Sequence, residues 1–305
     1  MSAPAVHDID DVAGAPSWVF GNDDITVALT RIGAQMAPVT FRRSSRKPVR
    51  PYYVAPWSAS PDAVPDAERM LQLMRGDVLC FPFGFPSEDG VNAFPLHGEI
   101  ATAAWQFEHA DRVGDTSTFR FSVDLRQPAG AVCKDVGLVD GHDALYVRHT
   151  IDAVTGEFPI GHHPMLAVPE TPRSVLVGHS GSGRGWTWPE PFGSPEEPGR
   201  PGYAAIAAGA EFDCLDRVPT VFGDNVRLDA FPDRQGFTDA VMWSHAPRRG
   251  EPAWNTATFT TEGYVWFALK DPHVLPFPKN ITVSGKTCGS LSANHTYPSV
   301  VKVAV

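Results

Sequence analysis

Apolar and polar residues alternate along much of this 305-residue chain with a period of two, the mark of half-buried strands. Ile25, Val27 and Leu29 open the pattern, and Gly33-Ala34 turns the chain into a second strand over 37–41. The spacing predicts further strands over 105–108 and 118–125, joined by a polar turn at 111–115. Two more, over 132–139 and 144–151, flank Asp140-Gly141, a dipeptide that tolerates the positive φ of a hairpin turn. Shorter strands follow over 165–168, 174–177, 240–243, 256–260 and 264–269, the last pair bent at Thr261-Glu262-Gly263. A helical period shows only over 67–74. A compact apolar run covers 78–83, and the Pro-, Ser-, Gly- and Glu-rich stretches 58–66 and 187–202 read as loops. Residues 1–17 look like a loose leader. No internal repeat appears, so the pattern predicts an all-β chain folded as one antiparallel sandwich domain over 18–305.

Composition narrows the function. A 43% hydrophobic share supports a large core, and 29 prolines with 27 glycines, dispersed rather than periodic, suit many short strands joined by turns. A formal charge of −10 argues against a nucleic-acid partner, which would require a basic stripe. The one dense basic run, Arg42-Arg43-Ser44-Ser45-Arg46-Lys47, reads as a solvated loop. No apolar run approaches the ~20 residues of a membrane-spanning helix, and residues 1–11 lack the pattern of a secretory signal. Cys80, Cys133, Cys214 and Cys288 show no Cys-x-x-Cys spacing and read as reduced, mostly buried thiols of a cytoplasmic protein.

Two of the eleven histidine contexts stand apart. In Phe94-Pro-Leu-His97-Gly-Glu99 a histidine precedes glycine, where backbone can approach a ligand closely. In Gly161-His162-His163-Pro164 two histidines sit between a glycine and a proline, and strand geometry would turn them to opposite faces. Either motif alone is also what a hydrogen-bonded turn looks like. His97, Glu99 and His163 do not form a recognisable metal-ligand spacing, and the chain has no phosphate-loop or dinucleotide motif, so neither a metal nor an organic cofactor is expected. Gly178-His179-Ser180-Gly181-Ser182 misses the Gly-x-Ser-x-Gly elbow of serine hydrolases by one residue. Among eight tryptophans, Trp105, Trp243 and Trp266 read as core, whereas Trp186 and Trp188, in a loop, are candidates to cover the apolar face of a sugar at a binding rim.

Taken in order, these motifs resemble the aldose 1-epimerase, or galactose mutarotase-like, family from about residue 20 to 276. The resemblance is carried by Ile32-Gly33-Ala34, Gly76-Asp77 running into Phe81-Pro82-Phe83-Gly84, Phe94-Pro-Leu-His97-Gly with Trp105 beyond, and Gly161-His162-His163-Pro164-Met165-Leu166. It implies a β-supersandwich and a site where two histidines meet over a sugar's ring oxygen and anomeric hydroxyl. By motif position His97 would bind or polarise the ring oxygen and His163 would be the general acid. Glu99 is the carboxylate candidate. His162 joins Trp186 and Trp188 in the substrate-binding set, with its strand position giving it packing or hydrogen-bonding work. The chain departs from the family pattern twice. Residues 85–93 hold no arginine, and after Glu262 the sole side-chain carboxylate is Asp271, so the family's late glutamate base is missing and the tail from about 277 is atypical. The expected activity is interconversion of aldose anomers. The alternatives are a carbohydrate-binding protein that has lost its base, or an accessory sandwich domain of a carbohydrate-processing assembly.

Overall fold

A computed structural model of the chain describes residues 4–60, 69–82, 95–154, 158, 160–180, 183–189, 204–234, 238–243, 251–270, 279–284, 289–293 and 300–302. The chain divides into two compact units, Met1–Met165 with Thr296–Lys302, and Leu166–His295 with Val303–Val305. In the first, β1 (Val6–Val12), β2 (Ala15–Gly21), β3 (Ile25–Thr30), β4 (Met36–Phe41), β5 (Asp77–Cys80) and β10 (Gly161–Val168) lie side by side in that order. A second sheet holds β6 (Gln106–Val113), β7 (Thr116–Arg126), β8 (Ala129–Val139) and β9 (Ala144–Asp152), with β22 (Val300–Lys302) beside β9. These strands pair antiparallel.

Period-two alternation explains why these sheets face each other. In β7, Phe119, Phe121, Val123 and Leu125 are buried and the residues between them are less so. Trp18 and Phe20 of β2 meet them across the sandwich, with ring centroids 5.1 Å (Trp18–Phe121) and 4.3 Å (Phe20–Phe119) apart. The same alternation runs through Val132, Lys134, Val136 and Leu138 of β8 and through Leu145, Val147 and His149 of β9. Lys134 and His149 are therefore core positions, and they lie directly opposite one another in the β8–β9 register.

Three expectations are corrected here. Most of the loose leader is paired backbone, since β1 and the start of β2 occupy it. With Asp8, Asp10 and Asp11 exposed, β1 has no apolar face to leave a period in the sequence. It is secured instead by its ladder to β2, by Arg31 paired with Asp8 and Asp10, and by the buried Arg75 guanidinium donating to Val12 O and Ala13 O at 2.7 and 3.0 Å. Next, β10 begins at Gly161 rather than 165, so both histidines of the pair are inside a strand. Finally, Trp186 lies in a strand and not a loop. Within the described part of 67–74 the helix is α1 (Arg69–Gln72). Phe83 and Phe94 fall outside the described residues.

The second unit holds β11 (Val175–His179), β12 (Gly185–Thr187), β13 (Glu211–Phe212), β14 (Val218–Pro219), β15 (Asn225–Val226), β16 (Ala230–Phe231), β17 (Thr238–Trp243), β18 (Ala253–Phe259), β19 (Tyr264–Lys270), β20 (Lys279–Ser284) and β21 (Gly289–Ala293). They form the sheets β21-β20-β17-β12-β13 and β16-β11-β18-β19, with β14 and β15 as a separate hairpin. Trp186 pairs opposite Met242 and Glu211, because Gly185 leaves room for the Phe212 ring that any side chain there would strike. Among the described residues no helix is long and apolar enough to cross a membrane, which says nothing of spanning strands. Cys80, Cys133 and Cys214 are unbridged.

Candidate functional site

His97 rides on a stiff platform. Gly98 N–H donates to Pro95 O at 2.8 Å, closing a turn, and Gly98 adopts φ +80°. A Cβ there would lie 2.2 Å from Phe81 O, so the site demands glycine on both counts. The following 3₁₀ turn, Glu99–Ala101, is pinned from below. Gly33 N–H donates to Ala103 O at 2.9 Å, and the Trp105 indole N–H donates to Ile100 O at 3.0 Å. The Ile32-Gly33-Ala34 and His97-Gly98 motifs thus belong to one assembly, and His97 is 8% exposed within it.

His163 arrives from β10. The β5–β10 register sets His163 opposite Val78 and His162 opposite Leu79, so the two imidazoles leave the sheet on opposite faces. His163 shares its face with Val78, Cys80 and Met165, three members of a small buried cluster completed by Met70 and Ala101. There it meets His97 edge-on, ring centroids 5.5 Å apart with the planes at 80°. Across 161–166, His163 is the residue not fully buried. Its Nδ1 is nevertheless shut away from solvent without a hydrogen-bond partner. Burial, reinforced by His97, holds its pKa at about 4, with Asp77 pulling the other way. At neutral pH the imidazole is therefore uncharged.

His162 occupies a different world. It is 2% exposed, its Nδ1 lies 3.0 Å from Asp77 Oδ2, and its ring is 5.0 Å from that of His149. An ionised carboxylate only accepts, so the Nδ1 proton is on His162. Lys134, buried beside them, donates to Ala34 O at 2.9 Å; burial lowers its pKa to about 8 against the pull of Asp77. Burial likewise drives His149 well below the usual histidine value. His162, expected in the substrate-binding set, is thus buried in a polar layer of the core, on the face of β10 opposite His163.

Glu99, the carboxylate candidate, is engaged elsewhere. Its Oε2 accepts the backbone N–H groups of Arg126 and Gln127 at 2.9 and 3.2 Å, and the Arg126 guanidinium stands 3.8 Å from Oε1. Two amides of the β7–β8 turn thus hold one oxygen of this carboxylate, with an exposed guanidinium near the other. Trp186 and Trp188, both half-buried, belong to the second unit; Trp186 Nε1 donates to Glu211 Oε1 at 3.4 Å. Asp77 entered only as part of the Gly76-Asp77 motif, without a role, and Lys134 and His149 belonged to no motif. Lys134 and His149 did leave a signal, since each interrupts an alternation of apolar inward positions. Among the described residues no group of three or more His, Cys, Asp or Glu side chains is placed to hold a metal ion.

No family model and no curated protein matches the sequence. Solved structures do match in fold. A candidate mutarotase (YeaD) from Salmonella typhimurium aligns over 99% of this chain and 94% of its own, with TM-score 0.63 and 12% identity. A galactose mutarotase-like protein from Clostridium acetobutylicum aligns over 99% and 98%, with TM-score 0.59 and 10% identity. At these identities the likeness is one of fold, and the fold is mutarotase-like, as the ordered motifs implied.

Proposed function

We propose that this protein binds an aldose and interconverts its anomers by general acid–base ring opening, and that it does so in the cytoplasm without metal or organic cofactor. The observation that carries the reading is the edge-on meeting of His97 and His163, one buried and the other reaching solvent, from two motifs about 65 residues apart. In the proposed step a base removes the C1 hydroxyl proton, C1=O forms, the bond from C1 to the ring oxygen breaks, and His163 protonates that oxygen while His97 polarises it. Rotation about C1–C2 and reversal give the other anomer. Because His163 rests uncharged at neutral pH, it must first take up a proton, so turnover should rise as pH falls from 8 toward 5.

A second reading, sugar binding without appreciable turnover, is favoured by the position of Glu99. Glu99 Oε2 accepts two amides of the β7–β8 turn and Asp77 is buried in the core, which disfavours either as the group that takes the C1 proton. Positioned general catalysis is typically worth roughly 10²–10⁴-fold, and a protein lacking its base forgoes that factor. Anomer-exchange NMR on a panel of free aldoses decides between the two. Saturable exchange above the spontaneous rate supports turnover; line broadening or shifts without exchange support binding alone; neither, across the panel, removes the sugar reading.

A further inference from the structure

We propose that Asp77, sealed on the inner face of the sheet, is a positioning residue for His163, orienting β10 through His162 and favouring the imidazolium form that the acid role needs. The inference rests on the acid role assigned to His163 above. Asp77 is assigned a positioning rather than a catalytic role because it is 2% exposed and bonds His162 on the face of β10 opposite His163. Its place in the register makes it effective from behind. Asp77 lies opposite Pro164, next in chain to His163, and its Oδ2 grips His162, the neighbour on the other side. One carboxylate thus brackets the residue that turns outward between them. A shift of β10 by one residue would exchange the two histidines between faces. The Asp77–His162 bond is buried polar contact in one register and two orphaned polar groups in the other.

The charges around His163 give the second half of the argument. His97 faces it from the turn before Glu99–Ala101, Cys80 shares its face on β5, and Tyr53 packs on the same cluster. Behind the sheet stand His162 on β10 itself, Lys134 on β8 and His149 on β9. His97 disfavours a proton on His163, and Asp77 is the carboxylate among the described residues whose charge favours one. Asp77 Oδ1 is buried with no hydrogen-bond partner, so half of this carboxylate is not quenched by a direct donor. Lys134, beside it, keeps the buried anion tolerable without bonding it: its Nζ goes to Ala34 O. A carboxylate that served packing alone would be expected to bond both oxygens.

The test is Asp77→Asn, which keeps an oxygen acceptor for His162 and removes only the charge. Imidazole NMR titration of His163 needs no sugar, so its outcome is independent of whether the protein turns over an aldose. The expected result is a His163 titration moved to lower pH, with His162 still protonated at Nδ1. Where exchange is measurable, kcat should fall about tenfold at pH 6, as a one-unit pKa shift requires, with KM unchanged. An unmoved His163 titration in the folded variant overturns the proposal. Should the variant fail to fold, the unaltered protein serves: the Asp77 carboxyl carbon must register the His163 protonation step, and a carbon resonance blind to that step overturns the proposal equally.

Discussion

The two faces of β10 put adjacent histidines in opposite surroundings. Outward, His163 meets His97 and an apolar cluster, reaches solvent, and has an unpartnered ring nitrogen. Inward, His162 is held by Asp77 and lies 5.0 Å, ring to ring, from His149, which is opposite the buried Lys134 in the β8–β9 register. The difference teaches that a residue's type says little about its task until its partners are known. The outward ring has a buried Nδ1 without a hydrogen-bond partner, whereas the inward ring has its Nδ1 held by a buried carboxylate.

The largest expected effect breaks this comparison by exchanging the tasks. His163→Ala should lower anomer exchange by at least about 10²-fold with little change in melting temperature. His162→Ala should do the reverse, costing about 3 kcal/mol of stability by stranding a buried carboxylate. Thermal melts and exchange NMR on both variants check the pair; similar activity losses at full stability would erase the distinction between the faces.

Acid should sharpen it. Burial depresses His163 to about 4 and His149 well below its usual range, so the unfolded chain binds more protons than the folded one between pH 6.5 and 4. Stability tied to these groups is fully present above about 6.5 and is lost as pH falls, with His163 accounting for about 3 kcal/mol by pH 4. Urea melts from pH 7.5 to 4 of the parent and of His163→Gln should show a smaller loss in the variant.

A smaller effect comes from the platform. Gly98→Ala places a side chain where φ is +80° and Phe81 O is 2.2 Å from its Cβ, so a cost of about 1–3 kcal/mol and a displaced His97 are expected. A crystal structure or His97 chemical shifts would register the displacement. Smallest is Glu99→Gln, which keeps an acceptor for the Arg126 and Gln127 N–H groups: exchange should be unchanged and stability lower by about 1 kcal/mol or less. A large loss of exchange would return Glu99 to the site.

Much of this was legible in the sequence where side chains carry the period. Alternation located β7, β8 and β9, whereas the glycines of Ile32-Gly33-Ala34 and His97-Gly98, read as a turn and a ligand approach, are packed against Ala101 O and Phe81 O. What escaped was set by backbone pairing or by distant partners. The polar strand β1 has no apolar face to read, and the short β12 owes its place to Gly185 making room for Phe212. Glu99 looked close to His97 by numbering, but the direction of its side chain is fixed by amides 27 and 28 positions away. Asp77 could not be matched to His162 without the β5–β10 register.

The most direct test of the account follows the imidazole signals of His97, His162 and His163 while an aldose that binds is titrated in at neutral pH. The outward rings should shift together along one saturation curve while His162 stays fixed. A moving His162 beside silent His97 and His163 would contradict the assignment of the two faces, and with it the proposed site.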